Sequence, residues 1–92
     1  MKKIIINNSE YELIKDIKEA FNETEFREKC TDYFYDYDYI VGDYAYNKLR
    51  LKGFYDSSNP KVKELNDIKH LDTYINEYCA YGCRYYVLRK KK

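Results

Sequence analysis

Tryptophan is absent from this chain, proline and histidine occur once each, and glycine and cysteine three times each, among 92 residues. Each scarcity removes a class of chemistry. Gly42, Gly53 and Gly82 are isolated, so no glycine-rich loop is available to wrap backbone amides around a phosphate. With His70 alone, a Cys/His nucleophile would require this one imidazole to meet a cysteine in space. Three thiols are an odd number, which argues for reduced cysteines over a disulfide framework. Cys79 and Cys83 form a CxxxC with no second pair. Cys30 and His70 complete a four-ligand zinc set by count but not by spacing, and cysteine packs well as a small hydrophobe. No apolar run approaches the roughly 18 residues that span a bilayer. The start, "MKKIIINNSEYELI", lacks the hydrophobic segment of a signal peptide. The expectation is a soluble, cytoplasmic protein with no membrane partner, no metal and no cofactor.

What is present is charge and tyrosine. Charged residues make up 36% and hydrophobic ones 45%, with 13 tyrosines and a net charge of +1. The length suits one domain, residues 1–92, with 89–92 read as a basic C-terminal tail. The small net charge hides an asymmetry. Residues 1–47 hold 6 Lys/Arg against 11 Asp/Glu, a balance of −5, and residues 48–92 hold 11 against 5, a balance of +6. Either the molecule is electrically polar and steers an anionic partner, or its halves interleave and the charges cancel.

Periodicity supplies the elements. "KIII" and "EYELI" flank Asn7, Asn8 and Ser9 and predict a hairpin over residues 3–14. Residues 15–21 suit a helix face or a loop. "NETE" has the form of a capping box, Asn22 as N-cap and Glu25 three residues on, and Phe26, Cys30, Tyr33 and Phe34 then predict about three helical turns. From Tyr37 the period changes to two, with a turn expected at Gly42 and Asp43. In "KLRLKGFY", Leu49 and Leu51 point one way and Lys48, Arg50 and Lys52 the other. Gly53 marks a bulge or a close backbone approach, and "DSSNP" is a loop. Leu71, Tyr74, Ile75, Tyr78 and Cys79 predict a helix that Gly82 stops. "CRYYVLRK" reads as a last strand. The order is ββαββαβ, an α+β domain with a mostly antiparallel sheet and two helices packed on one face.

"YELIKD", "FNETEFREKC", "DYDYIVGDYAYNKLRLKGFY" and "YINEYCAYGCRYYVL" together resemble the YutD-like family of small bacterial proteins over nearly the whole chain. The resemblance implies an α+β fold and a cytoplasmic setting and carries over no catalytic or binding residue. Where relatives often have "GDWGY", this chain has "GDYAY" with Tyr44 and Ala45, so no role resting on an indole transfers.

Two surfaces remain as functional candidates. Lys48, Arg50 and Lys52 form a basic row, with Tyr44, Tyr46 and Phe54 as rings on which bases could stack, the combination used by single-strand binders. Single-stranded RNA is therefore the leading partner. The alternative is a protein partner held by a tyrosine-rich surface, because 13 tyrosines exceed what one core can hide. Asp32 and Asp36, placed one helical turn apart, and Asp38 read as solvated acids, and Asp43 beside Gly42 reads as a turn former. No nucleophile, base and anion-binding trio assembles with sensible spacing, so the chain is read as a binding module without catalytic residues.

Overall fold

The computed structural model describes residues 2–6, 9–45, 48–78 and 84–91. The expected hairpin opens it: β1 (Lys2–Ile6) and β2 (Ser9–Ile17) pair antiparallel, with Ile4, Ile6 and Tyr11 buried and Ile5 facing out. Its turn residues Asn7 and Asn8 lie outside the described residues, and Ser9 already belongs to β2. β2 runs on through a bulge between Leu13 and Lys15. Residues 15–17 are therefore strand, and Lys18 and Glu19 reverse the chain with φ of 60° and 53°. That conformation disfavours L-residues; Asp16 Oδ1 closes the turn by accepting from the amides of Ala20 and Phe21.

Asn22 caps α1 (Glu23–Lys29), its side chain accepting from the Glu25 amide at 3.1 Å. The Glu25 carboxylate accepts instead from the Tyr44 hydroxyl, at 3.0 Å, and so ties α1 to the sheet. The helix stops at Cys30 and does not reach Phe34. A β-branched residue, a short acid and three aromatics follow, all poor helix formers, and Asp32–Phe34 make one 3-10 turn that leaves Tyr33 67% exposed. Asp32 and Asp36 thus share no helix face.

The remaining elements are β3 (Tyr39–Ala45), β4 (Lys48–Phe54), α2 (Leu71–Tyr78) and β5 (Tyr85–Lys91). The sheet order is β1-β2-β5-β3-β4, every pair antiparallel. The ββαββαβ order and the α+β class are as expected. The turn at Gly42 and Asp43 is not: both lie inside β3, opposite Leu51 and Arg50. Glycine is needed at 42 because the Tyr86 ring occupies its side-chain space; a Cβ there would lie 2.2 Å from Tyr86 Cζ. Gly53 is the close approach expected of it, with the Tyr37 ring 2.3 Å from where a Cβ would stand, an aromatic cover for an edge-strand glycine.

The helices flank the sheet on opposite faces, not one. Ile40, Tyr86 and Leu88 pack with Phe26 of α1, whereas the alternate residues Val41 and Val87 pack with Leu71, Tyr74 and Ile75 of α2. Val41 therefore does not share a face with Leu49 and Leu51. Residues 89–91 are no tail. They complete β5, where Arg89 and Lys91 pair with Glu12 and Glu10 and the Lys90 amide donates to the Asp38 carbonyl; Lys92, like Cys79–Cys83 with the expected helix stop at Gly82, lies outside the described residues. No helix among the described residues is long and apolar enough to cross a membrane.

The hydroxyls of Tyr11 and Tyr86 are buried without a hydrogen-bond partner among the described residues. Burial pushes the Tyr11 phenol up to about 12 and raises that of Tyr86 further. Removing an unpaired buried hydroxyl relieves desolvation, so Tyr86→Phe is expected to leave stability unchanged or raise it by up to about 1 kcal/mol. Tyr44→Phe discards bonds to Glu25 and the Ala20 carbonyl and should cost about 1 kcal/mol. Gly42→Ala drives a methyl into Tyr86 and should cost about 3 kcal/mol or more. Urea midpoints of the three variants check the ranking.

Candidate protein interface at the β4 edge

The alternation of β4 places Lys48, Arg50, Lys52 and Phe54 on the α2 side of the sheet, opposite Ala45, Asp43, Val41 and Tyr39 of β3. The basic row exists, but its members differ. Arg50 grips both oxygens of Asp43 at 3.1 Å each, and Asp43 is 1% exposed; the acid read as a turn former is a buried counter-ion, whose hydrogen bonds raise the guanidinium's own pKa. Lys52 Nζ stands 5.2 Å over the Phe54 ring and 6.0 Å over that of Tyr74, and Lys48 is exposed. The rings named with them are placed otherwise. Phe54 is buried beneath Tyr74, centroids 5.5 Å apart. Tyr44 faces the α1 side, buried, with the Arg84 guanidinium 3.8 Å over its ring. Tyr46 lies outside the described residues. The structure thus gathers the three cations with Phe54 and separates Tyr44 from them. Cys30 belongs to the α1-side core, its thiol pushed up to about 11 by burial, while His70 sits on the α2 side, so these two do not meet.

The outer edge of β4 is a different surface. Asp38 O accepts from Lys90 N, so even-numbered residues of β3 turn their backbone to β5 and odd-numbered ones to β4. By the alternation of an antiparallel ladder, Lys48, Arg50, Lys52 and Phe54 bond inward to β3, and Leu49, Leu51 and Gly53 present N–H and C=O outward. The next outward residue, Tyr55, is already paired. Its amide donates to Asn66 O at 2.7 Å and its carbonyl accepts from Ile68 N at 3.0 Å, a one-residue parallel bridge to Asp67.

A groove of about 240 Å³ straddles this edge, with Tyr33, Phe34 and Tyr37 on one wall and Arg50, Lys52 and Tyr74 on the other. A second, of about 550 Å³, continues along α2 past Phe54, Leu65, His70 and Tyr74, with Leu65 85% exposed. The first wall is a ladder of rings: Tyr33, Tyr37 and Tyr55 have successive centroids 5.7 and 4.7 Å apart. Tyr37 donates to the Tyr33 hydroxyl, and that bond, with burial, pushes its phenol up to about 12. Sequence reasoning passed over Tyr33, Tyr37, Tyr74 and Leu65 as individual site residues. The signal was "YFYDYDY", where tyrosine recurs from the 3-10 turn through a short connection into the start of β3.

The loop after β4 is fastened by carboxylates. Asp38, 6% exposed, accepts from the Asp56 amide and Asn59 Nδ2. Asp36 takes Lys61 Nζ and the Tyr55 hydroxyl, and Asp67 takes the Ser57 hydroxyl.

Comparison with known proteins places this chain in a family. Residues 5–89 match the family described as "Putative antitoxin YutD-like". The chain belongs to the YutD-like family. It is 48% identical over 87 residues to the "Putative antitoxin YutD" of Bacillus subtilis (strain 168), covering 95% of this chain and 96% of the relative. The solution NMR structure of protein yutD from B. subtilis superposes with a TM-score of 0.84 at 46% identity, covering 100% of this chain and 84% of that one. The matched region of this YutD-like chain includes both grooves and the whole of β4.

The fastening acids give the family member a pH signature. Lys61 holds the Asp36 carboxyl below its ordinary range, and the Ser57 hydroxyl does the same for Asp67. A lowered folded value means stability that is present above the unfolded carboxylate value of about 4 and is lost as the pH falls through the folded one. Amide resonances of residues 56–67 are expected to broaden or shift in that acid window, and Asp67→Asn should remove its share of the pH dependence. Separately, Arg50→Ala leaves Asp43 buried without its counter-ion and should cost about 2 kcal/mol by urea melting, less than a fully buried pair because Arg50 itself reaches water.

Proposed function

We propose that this YutD-like chain is a non-enzymatic binding module whose ligand is another protein, engaged at the aromatic groove along β4. The observation that carries the reading is the open edge of β4 between Tyr33 and Tyr37 on one side and Tyr74 on the other, with Tyr33 and Leu65 exposed. Tyrosines supply contact area at small entropy cost. The description of the relatives as antitoxins is in keeping, since a protein antitoxin that acts by contact needs a surface for its toxin.

The single-stranded RNA reading through Lys48, Arg50, Lys52, Tyr44, Tyr46 and Phe54 has less support. Two of its three rings are buried, and Arg50 is engaged by Asp43. One pair of assays separates the readings. Tagged protein is used to recover partners from a lysate of its own cells, and the Tyr33→Ala, Tyr37→Ala double variant should retain less than about a tenth of what the unaltered protein recovers, as expected when central aromatics are removed. The same two proteins are titrated into labelled single-stranded RNA at low and high salt. A saturable, salt-dependent RNA affinity that Lys48→Glu weakens, with no protein recovered, would replace this reading by the nucleic-acid one.

A further inference from the structure

We infer that the partner is bound by strand addition: an extended segment of another protein, with carboxylates on one side, pairs with the outer edge of β4 as a sixth strand. This rests on the protein-binding reading and specifies its mode. Three observations carry it. The first is the backbone. Leu49, Leu51 and Gly53 alternate with the residues that bond to β3, and among the described residues the sheet ends at their outward N–H and C=O groups; Leu51 and the buried Gly53 line the groove, whereas Leu49 is 4% exposed. Such a row is a template for another chain.

The second is that the line of the edge already takes a backbone partner at one position. The bridge of Tyr55 to Asp67 is one residue of parallel pairing, made by the chain's own segment 66–68 at the next outward position. Gly53, Leu51 and Leu49 continue the same line. The groove walls keep that line open on both sides: alternate side chains of an added strand would enter beside Tyr33 and Tyr37 on one face and beside Lys52 and Tyr74 on the other.

The third is charge, which selects the occupant. Lys48 and Lys52 project on the α2 face of the edge strand on either side of Arg50, whose guanidinium is already held by Asp43, so the two lysines carry the charge. A second copy joined edge to edge about a two-fold axis normal to the sheet would set this row against itself, cation opposite cation, which is unfavourable for directly facing residues. A segment with glutamate or aspartate at alternate positions meets the row with opposite sign, and its intervening apolar or aromatic residues meet Tyr33, Tyr37 and Leu51.

Amide hydrogen exchange on the isotopically labelled full chain tests this with a capped peptide of about seven residues, enough to cover the edge at its rise per residue, alternating glutamate with valine and tyrosine. Free protein should exchange the Leu51 and Gly53 amides, which line the groove, faster than those of Arg50, Lys52 and Phe54. Saturating peptide should slow the first set at least about tenfold, as expected for amides newly taken into a ladder, and the same peptide with lysine for glutamate should bind at least about tenfold more weakly, the sign dependence of facing charges. Leu51→Pro removes one outward N–H and leaves the inward ladder intact; it should abolish binding. Should that variant unfold, Lys48→Glu with Lys52→Glu provides the second arm and should reverse the preference between the two peptides. The inference is overturned if the Leu51 and Gly53 amides are already slow in dilute free protein, if neither peptide slows them at millimolar concentration, or if concentrated protein alone slows them, which would make the occupant a second copy. Recovery of a lysate protein whose exchange footprint misses Leu49–Gly53 would overturn strand addition while leaving the protein-binding reading in place.

Discussion

The fold depends on β5 lying between two hairpins that are far apart in sequence. β2 pairs with its odd-numbered edge and β3 with its even-numbered edge, so the last strand joins the second and the third into one sheet. The same strand supplies both cores at once: Tyr86 and Leu88 to the α1 side, Val87 to the α2 side. Tyr86 can lie flat across β3 only because residue 42 has no side chain. One ring and one glycine thereby fix the distance between the sheet and α1, and Phe26 of α1 meets that ring edge-on at 6.3 Å.

Insertion of β5 also decides the charge question. The acidic first half and basic second half do not form opposite poles. Glu12 meets Arg89, Glu10 meets Lys91, Asp43 meets Arg50 and Asp36 meets Lys61, each an acid from the first half against a cation from the second. These pairs are mostly exposed and contribute little stability individually. Their consequence is that long-range steering by a molecular dipole is weakened, and the proposed recognition rests on short-range shape and backbone pairing.

Local pattern carried much of this. The period-two runs of "KIII" and "KLRLKGF", the Asn22 cap and the apolar stripe of residues 71–78 are local features, and they became the elements they predict. The errors came where tertiary contact overrode local chemistry. Gly42 and Asp43 have the composition of a turn, but a ring from residue 86 and a guanidinium from residue 50 keep them extended. Arg89 to Lys91 have the composition of a tail, but carboxylates from residues 10 and 12 hold two of them in a strand. The groove was illegible for a related reason. Its walls come from residues 33–37, 50–53 and 74, and only the closing of the sheet brings them together; the tyrosine count shows a surplus of rings without showing where they gather.

The two edges of the sheet make a final comparison. β1 is the other outer strand, and its Lys2 turns back onto Glu23 and the Phe21 ring while Ile5 stands exposed. It is short, its tip carries Lys2 and Lys3, and neither groove reaches it, which is how a sheet blunts an edge it does not use. β4 also carries cations, but there a groove lies beside them and the chain's own residues 66–68 bridge the next position, Tyr55. Lysine on an edge deters any strand that brings its own cations. It does not deter one that brings carboxylates, so on the strand-addition proposal the cations that disfavour a second copy at this edge also narrow the choice of partner.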